Sequence, residues 1–174
     1  MKSGFRIGTI AVVGLFTAYL YVLFIIILFK FGTPNLPFLW EQLQRLPERS
    51  FLREFTYLYN VVPFRSVLDT LLYPSIHGWI NLFGNIALFV PLGLFLGYLV
   101  RGLSWSGAVL ASFGLSLLLE VLQLVFFIGT FDTDDLILNT LGGAVGFALY
   151  KWIAPTAGQN ETRRRHVQAR VENR

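Results

Sequence analysis

Glu120 interrupts an apolar run over residues 107–128, and the acidic segment Asp132-Thr133-Asp134-Asp135 follows closely behind it. An ionised side chain deep in hydrocarbon costs at least ~2.5 kcal/mol on insertion scales, so it normally faces protein or a wet cavity. Carboxylates grouped in this way can act as general acids or bases, or hold a hard divalent cation through oxygen. The segment lacks the glycine and distal glutamate of a calcium-binding helix–loop–helix motif, and no nucleophile is evident beside it. Glu120, Asp132, Asp134 and Asp135 are therefore the candidates for catalysis. No cofactor is implied beyond a divalent cation at this acidic cluster, which the sequence leaves open.

Amides and an imidazole lie near the same ends of the neighbouring apolar segments: Asn60, His77, Asn81, Asn85, Gln123 and Asn139. On helices, His77, Asn81 and Asn85 share one face at i, i+4, i+8, and Asp135 and Asn139 share another at i, i+4. Glu120 and Gln123, at i, i+3, form a third polar face with Ser116 one turn away. Plainer roles compete with chemistry. Thr133 or Asp134 suits the start of a helix, and amides between membrane helices hydrogen-bond across the interface for ~1 kcal/mol or less. His77, beside Gly78-Trp79, reads as an interfacial residue. Arg65 either snorkels to the interface or pairs with Glu120. Glu120 resists such readings, because no helix end lies near it and it is too deep to snorkel. The expected ligand-binding set is Asn60, Arg65, Asn81, Asn85, Glu120, Gln123, Asp132, Asp135 and Asn139.

The elements that position these residues follow from composition. Only 14% of the 174 residues are charged, against about 25% in soluble domains, which points to a membrane protein. There are no cysteines and two histidines, excluding disulfide scaffolds, thiolate chemistry and histidine-based zinc sites. A spanning helix needs about 20 mostly apolar residues. Four stretches qualify, roughly 7–31, 80–100, 105–128 and 136–153. The apolar run of the first exceeds a signal core and no small-x-small site follows, so it reads as a retained span. The expected fold is an all-α integral membrane bundle of about four helices over residues 1–154, followed by a basic tail over 155–174.

Lys2, Arg6, Arg101, Lys151 and the arginine-rich tail fall on one side of a four-pass weave, which the positive-inside rule makes cytoplasmic, with both termini inside. The acidic and amide residues then converge on the extracytoplasmic side. The tail, with Arg163-Arg164-Arg165, suits anionic lipid better than nucleic acid. The long loop over 32–78 mixes aromatic and charged residues as an interfacial helix would. Pro47 divides it, and 61–73 is apolar enough to re-enter the bilayer with Pro63 and Arg65 against protein or water. Asn160-Glu161-Thr162 matches a glycosylation acceptor only by accident in a cytoplasmic tail. Gly93 with Gly97, and Gly142 with Gly146, are spaced for close helix approach, and Pro91 predicts a kink.

Four ordered blocks carry a resemblance: Asn60-Val-Val-Pro63-Phe64, Asn81-Leu-Phe-Gly84-Asn85 running on to Pro91-Leu-Gly93, Glu120-Val-Leu-Gln123, and Asp132-Thr-Asp-Asp135 running on to Asn139-Thr-Leu-Gly142. Together they resemble the VanZ-like family over residues 60–150, a family named for a membrane protein associated with low-level teicoplanin resistance. The resemblance implies a multi-pass protein of the bacterial cytoplasmic membrane concerned with the cell envelope. Many members carry an arginine before the acidic segment, where Phe127-Ile128-Gly129-Thr130-Phe131 stands here, so any pairing it makes must shift, Arg65 being the substitute at hand. Three functions stand open, the first preferred: a non-enzymatic module binding a lipid-linked or glycopeptide-related envelope ligand, an intramembrane enzyme using the carboxylates, or a small transporter or proton relay. Membrane lipids are expected partners, nucleic acid is not, and the oligomeric state is not set by the sequence.

Overall fold

The computed structural model describes the backbone of residues 2–29, 35–44 and 59–172, and side chains within 8–29, 35–44 and 60–154. Four helices have the length and apolarity to cross a membrane: α1 (Lys2–Phe29), α4 (Ile76–Leu99), α5 (Trp105–Phe126) and the first 22 residues of α6 (Thr133–Glu172). At 1.5 Å rise per residue, 22 residues span ~33 Å, matching the hydrocarbon core of a bilayer. Two short helices, α2 (Leu36–Gln44) and α3 (Arg65–Leu72), and two two-residue strands, β1 (Tyr59–Asn60) and β2 (Phe131–Asp132), complete the described elements. The helix break expected over residues 30–34, the interfacial piece over 51–59 and the division at Pro47 lie outside the described residues, apart from the strand at Tyr59.

α4 begins earlier than apolarity alone indicates, because a polar residue starts it. The Ser75 side chain accepts from the Gly78 amide at 3.0 Å and opens α4 four residues before the expected start. Ser104 caps α5 at its expected start, accepting from Gly107 at 3.1 Å. Both follow the side-chain N-cap rule. At the other end of the chain, 155–172 continues α6 as helix where the sequence reads as a polar tail.

α4 and α6 form the most extensive contact in the molecule, and glycines make it close. A Cβ at Gly142 would collide with the Ile86 carbonyl, one at Gly146 with the Val90 carbonyl, and one at Gly93 with the Gly143 carbonyl and Phe147 amide. On the adjoining face of α6, a Cβ at Gly143 would strike Ser112 of α5. The two helix backbones thus touch where side chains would hold them apart, as small residues permit in membranes.

α1 leans on this pair along a narrower stripe. Leu23 of α1 packs with Phe89, Leu92 and Leu119, all buried, with Phe16, Leu20 and Leu115 around them. α4 stays helical through Pro91, whose ring nitrogen has no hydrogen to give the Ala87 carbonyl. One residue on, the Leu88 carbonyl accepts from the Tyr19 hydroxyl at 2.7 Å, the interhelical partner that a proline-interrupted membrane helix tolerates well.

Gly146→Ala is expected to destabilise the protein by ~1–3 kcal/mol through overpacking, read as an earlier unfolding midpoint in detergent. Gly114→Ala, where the added Cβ meets open space, leaves that midpoint unchanged or slightly raised.

Candidate functional site

The acidic segment sits where the chain turns from α5 into α6. α5 is capped by Phe127, whose φ of 53° is left-handed. Its amide donates to the Leu124 carbonyl at 3.2 Å, while Ile128 donates to Gln123 at 3.1 Å, an arrangement that closes helix ends. The chain then pairs in parallel with β1, Tyr59 opposite Phe131 and Asn60 opposite Asp132. This short pairing brings the segment preceding α3 against the start of α6.

Each carboxylate then meets a different element. Asp132 Oδ1 accepts from the Asp134 amide at 2.9 Å, so the residue capping α6 is Asp132 rather than the expected Thr133 or Asp134. The same side chain accepts from Asn60 Nδ2 at 3.3 Å and from Ser66 Oγ at 3.0 Å. Asp134 is fully buried and caps in trans: it accepts from the amides of Phe64, of Ser66 at 2.7 Å and of Val67 at 3.2 Å. Phe64 lies in the left-handed region and offers α3 no side-chain cap of its own. A remote carboxylate thus supplies the acceptor, and the negative charge, that a helix N-terminus favours.

Glu120, 1% exposed, accepts from the Asp132 amide through Oε2 at 2.9 Å. Arg65, offered by the sequence as its partner, opens α3 with its side chain exposed. Asp135 turns toward α4, accepting from Asn85 Nδ2 and from Asn81 Nδ2, the latter at 3.4 Å. Asn139 is buried deeper, donating to Ser116 of α5 at 2.9 Å. Gln123 reaches α1, where its Nε2 donates to the Ile27 carbonyl at 2.7 Å.

The predicted residues therefore form three groups. Asn60, Glu120, Asp132 and Asp134 tie β1, α3, α5 and α6 together. Asn139 braces α5 against α6. Asn81, Asn85, Gln123 and Asp135, with His77, border a cavity of about 420 Å³ between α1 and α4, whose remaining wall includes Ile26, Ile27, Ile80, Ala87 and Leu88. Among the described residues, no three His, Cys, Asp or Glu side chains converge in a group able to hold a metal ion. Ser66 was not foreseen: it joins Asp132 by its hydroxyl and Asp134 by its amide, and nothing in its sequence setting marks it beyond a place one residue into α3.

Three buried side-chain oxygens have no hydrogen-bond partner among the described residues: Asn60 Oδ1, Gln123 Oε1 and Asn139 Oδ1. Gln123 itself is 2% exposed and its Nε2 is fixed on Ile27; a buried carbonyl oxygen left unpaired costs ~1–3 kcal/mol.

Asp134→Ala removes the acceptor of three amides. Hydrogen bonds to a charged group contribute ~1.5–3 kcal/mol each, so faster amide exchange is expected across 64–72 with α4–α6 protection retained. Asp134→Asn, keeping one acceptor oxygen, falls between the two. Unchanged exchange in the alanine variant contradicts the capping role.

The sequence model of the VanZ/LLP1 family matches residues 16–154, and the chain belongs to that family. A curated relative, Protein VanZ of Enterococcus faecium, is 36% identical over 66 residues, 38% of this chain and 41% of the relative's length. The chain thus aligns with less than half of that relative. No solved structure gives a significant match.

Proposed function

We propose that this VanZ/LLP1 family membrane protein binds an amphipathic cell-envelope ligand in the cavity between α1 and α4. The observation that carries this reading is the joining of two chemistries in one cavity. An apolar wall of Ile26, Ile27, Ile80 and Leu88 adjoins a polar border of Asn81, Asn85, Gln123 and Asp135. The wall suits an acyl or prenyl chain. The border is rich in acceptors and no Lys or Arg among the described residues lines it, so it favours headgroups carrying hydroxyl, amide or ammonium donors over bare phosphate.

A lipid-linked envelope precursor, or a glycopeptide with a lipid tail such as teicoplanin, has both parts. The tie to teicoplanin resistance comes from the family resemblance, and Asp135 with its amides is the place on this chain where it would act. The intramembrane-enzyme reading draws less support, because Asp132, Asp134 and Glu120 accept from backbone or side-chain donors on separate elements. The positive residues Arg101 and Lys151 lie at the opposite end of the bundle, which supports a cytoplasmic-membrane protein with both termini inside and this cavity toward the outer face.

Two variants test the site. Ile80→Trp narrows the apolar wall and Asn85→Leu removes a polar one, so either is expected to weaken binding of an acylated glycolipid probe by roughly tenfold, a loss worth ~1.4 kcal/mol. In a host lacking its own copy, both variants lose whatever teicoplanin phenotype the wild type confers at matched membrane levels. Wild-type affinity in both sinks the proposal. Placement has its own test, helped by a sequence without cysteine. Thr130→Cys in intact cells reacts with a membrane-impermeant maleimide, whereas Ser106→Cys reacts only after permeabilisation; the reverse pattern inverts the assigned orientation.

A further inference from the structure

α3 presents three unlike sides. At ~100° per residue, Ser66, Val67 and Thr70 fall together, and this side meets the bundle. Asp134 accepts from the Ser66 and Val67 amides, and the Ser66 hydroxyl donates to Asp132. Thr70 is buried against α4, where a Cβ on Gly78 would collide with its side chain. Leu68, Leu71 and Leu72 fall on a second side, and each is more than half exposed. Arg65 and Asp69, both exposed, share the third. The bonds to Asp132 and Asp134 fix the rotation of α3, so the leucines cannot turn inward.

We infer that α3 is an interfacial membrane anchor: its leucine side lies in the headgroup–acyl boundary of the bilayer at the acidic end of the bundle, while Arg65 and Asp69 face water. A helix in that boundary buries an apolar side and keeps a charged one wet, and here the bundle takes the third side. The eight residues of α3 reach ~12 Å, well short of the ~30 Å hydrocarbon core. α3 is held at the first turns of α4 and α6, through Gly78 and Asp134, which places it at the edge of the bilayer and not across it. Lipid suits the leucines because the exposed apolar surface runs on through Tyr73 and Ile76 to Ile80 and Phe83. Ile76, Ile80 and Phe83 share one face of a span, at i, i+4, i+7. Trp79 stacks on Phe83 at 5.5 Å, and Trp and Tyr are the residues enriched at the membrane–water boundary. Asp134, which holds α3, directly precedes Asp135, which borders the cavity between α1 and α4, so the same immersion sets that polar border at headgroup depth. The anchor stands whether or not the cavity takes the ligand proposed for it.

The test uses the full chain, one copy per phospholipid nanodisc, with a spin label on a single introduced cysteine, since the sequence has none. Leu68→Cys and Leu72→Cys report the apolar side, Arg65→Cys and Asp69→Cys the charged side, and Ile80→Cys the span. Power saturation compares collision with oxygen, which concentrates in the bilayer, and with a water-soluble nickel chelate. The oxygen-to-nickel ratio is expected to be higher at residues 68 and 72 than at 65 and 69, and to approach the ratio at 80. A ratio at 68 and 72 as low as that at 65 and 69 puts the leucines in water and overturns the anchor. Protection of 68 and 72 from both reagents also overturns it, because protein and not lipid then covers them.

Discussion

A carboxylate shut away from water must find donors, and Asp134 finds them in the amides of Phe64, Ser66 and Val67. This bond set governs the acidic end of the molecule. Without it the first turn of α3 would bury orphan amides, and a fully buried charge would lack the hydrogen bonds that make its burial tolerable. Asp132 extends the tie by capping α6 and gripping Asn60 and Ser66. Glu120 then anchors the same segment to α5 through the Asp132 amide. Three acidic side chains that look reactive in sequence thereby each join one element to another.

The fourth is placed by the glycine seam. Because α6 touches α4 at Gly142 and Gly146 with no intervening side chain, Asp135, at the start of α6, lies within reach of Asn81 and Asn85. Those two amides donate to the carboxylate and hold it at the border of the cavity. α1, packed along a single stripe, leaves room beside α4 for a chain-shaped ligand, while Gln123 bridges to its last turn. The same contact that stabilises the bundle therefore sets the polar border against the apolar wall.

Much of this was legible in the sequence. Apolar length marked all four spans, and spacing placed Asn81 with Asn85 on a shared face; Asp135 and Asn139, read the same way, instead turn to α4 and to α5. The glycine pairs likewise announced a close helix contact. What was not legible depends on contacts between distant segments. Capping normally acts within a helix, so Asp134 read as a cap for its own helix and its trans role to α3 had no local signal. The pairing of β1 with β2 involves two residues a side, too few to show any periodicity. Arg65 looked like the natural partner for Glu120, because a charge in an apolar run invites an opposite charge; a backbone amide meets that carboxylate at 2.9 Å instead.

The molecule thus has an acceptor-rich cavity at one end of its spans, with the acidic ties beside it. The central claim is that ligand occupies the cavity between α1 and α4 and not the acidic knot itself. Photo-cross-linking of an acylated glycolipid to the purified protein, mapped by peptide mass spectrometry, tests it most directly. The account predicts adducts on Ile26, Ile27 and residues 80–88. Adducts concentrated on 60–67 and 130–134 would contradict it and return the carboxylates to the centre of the chemistry.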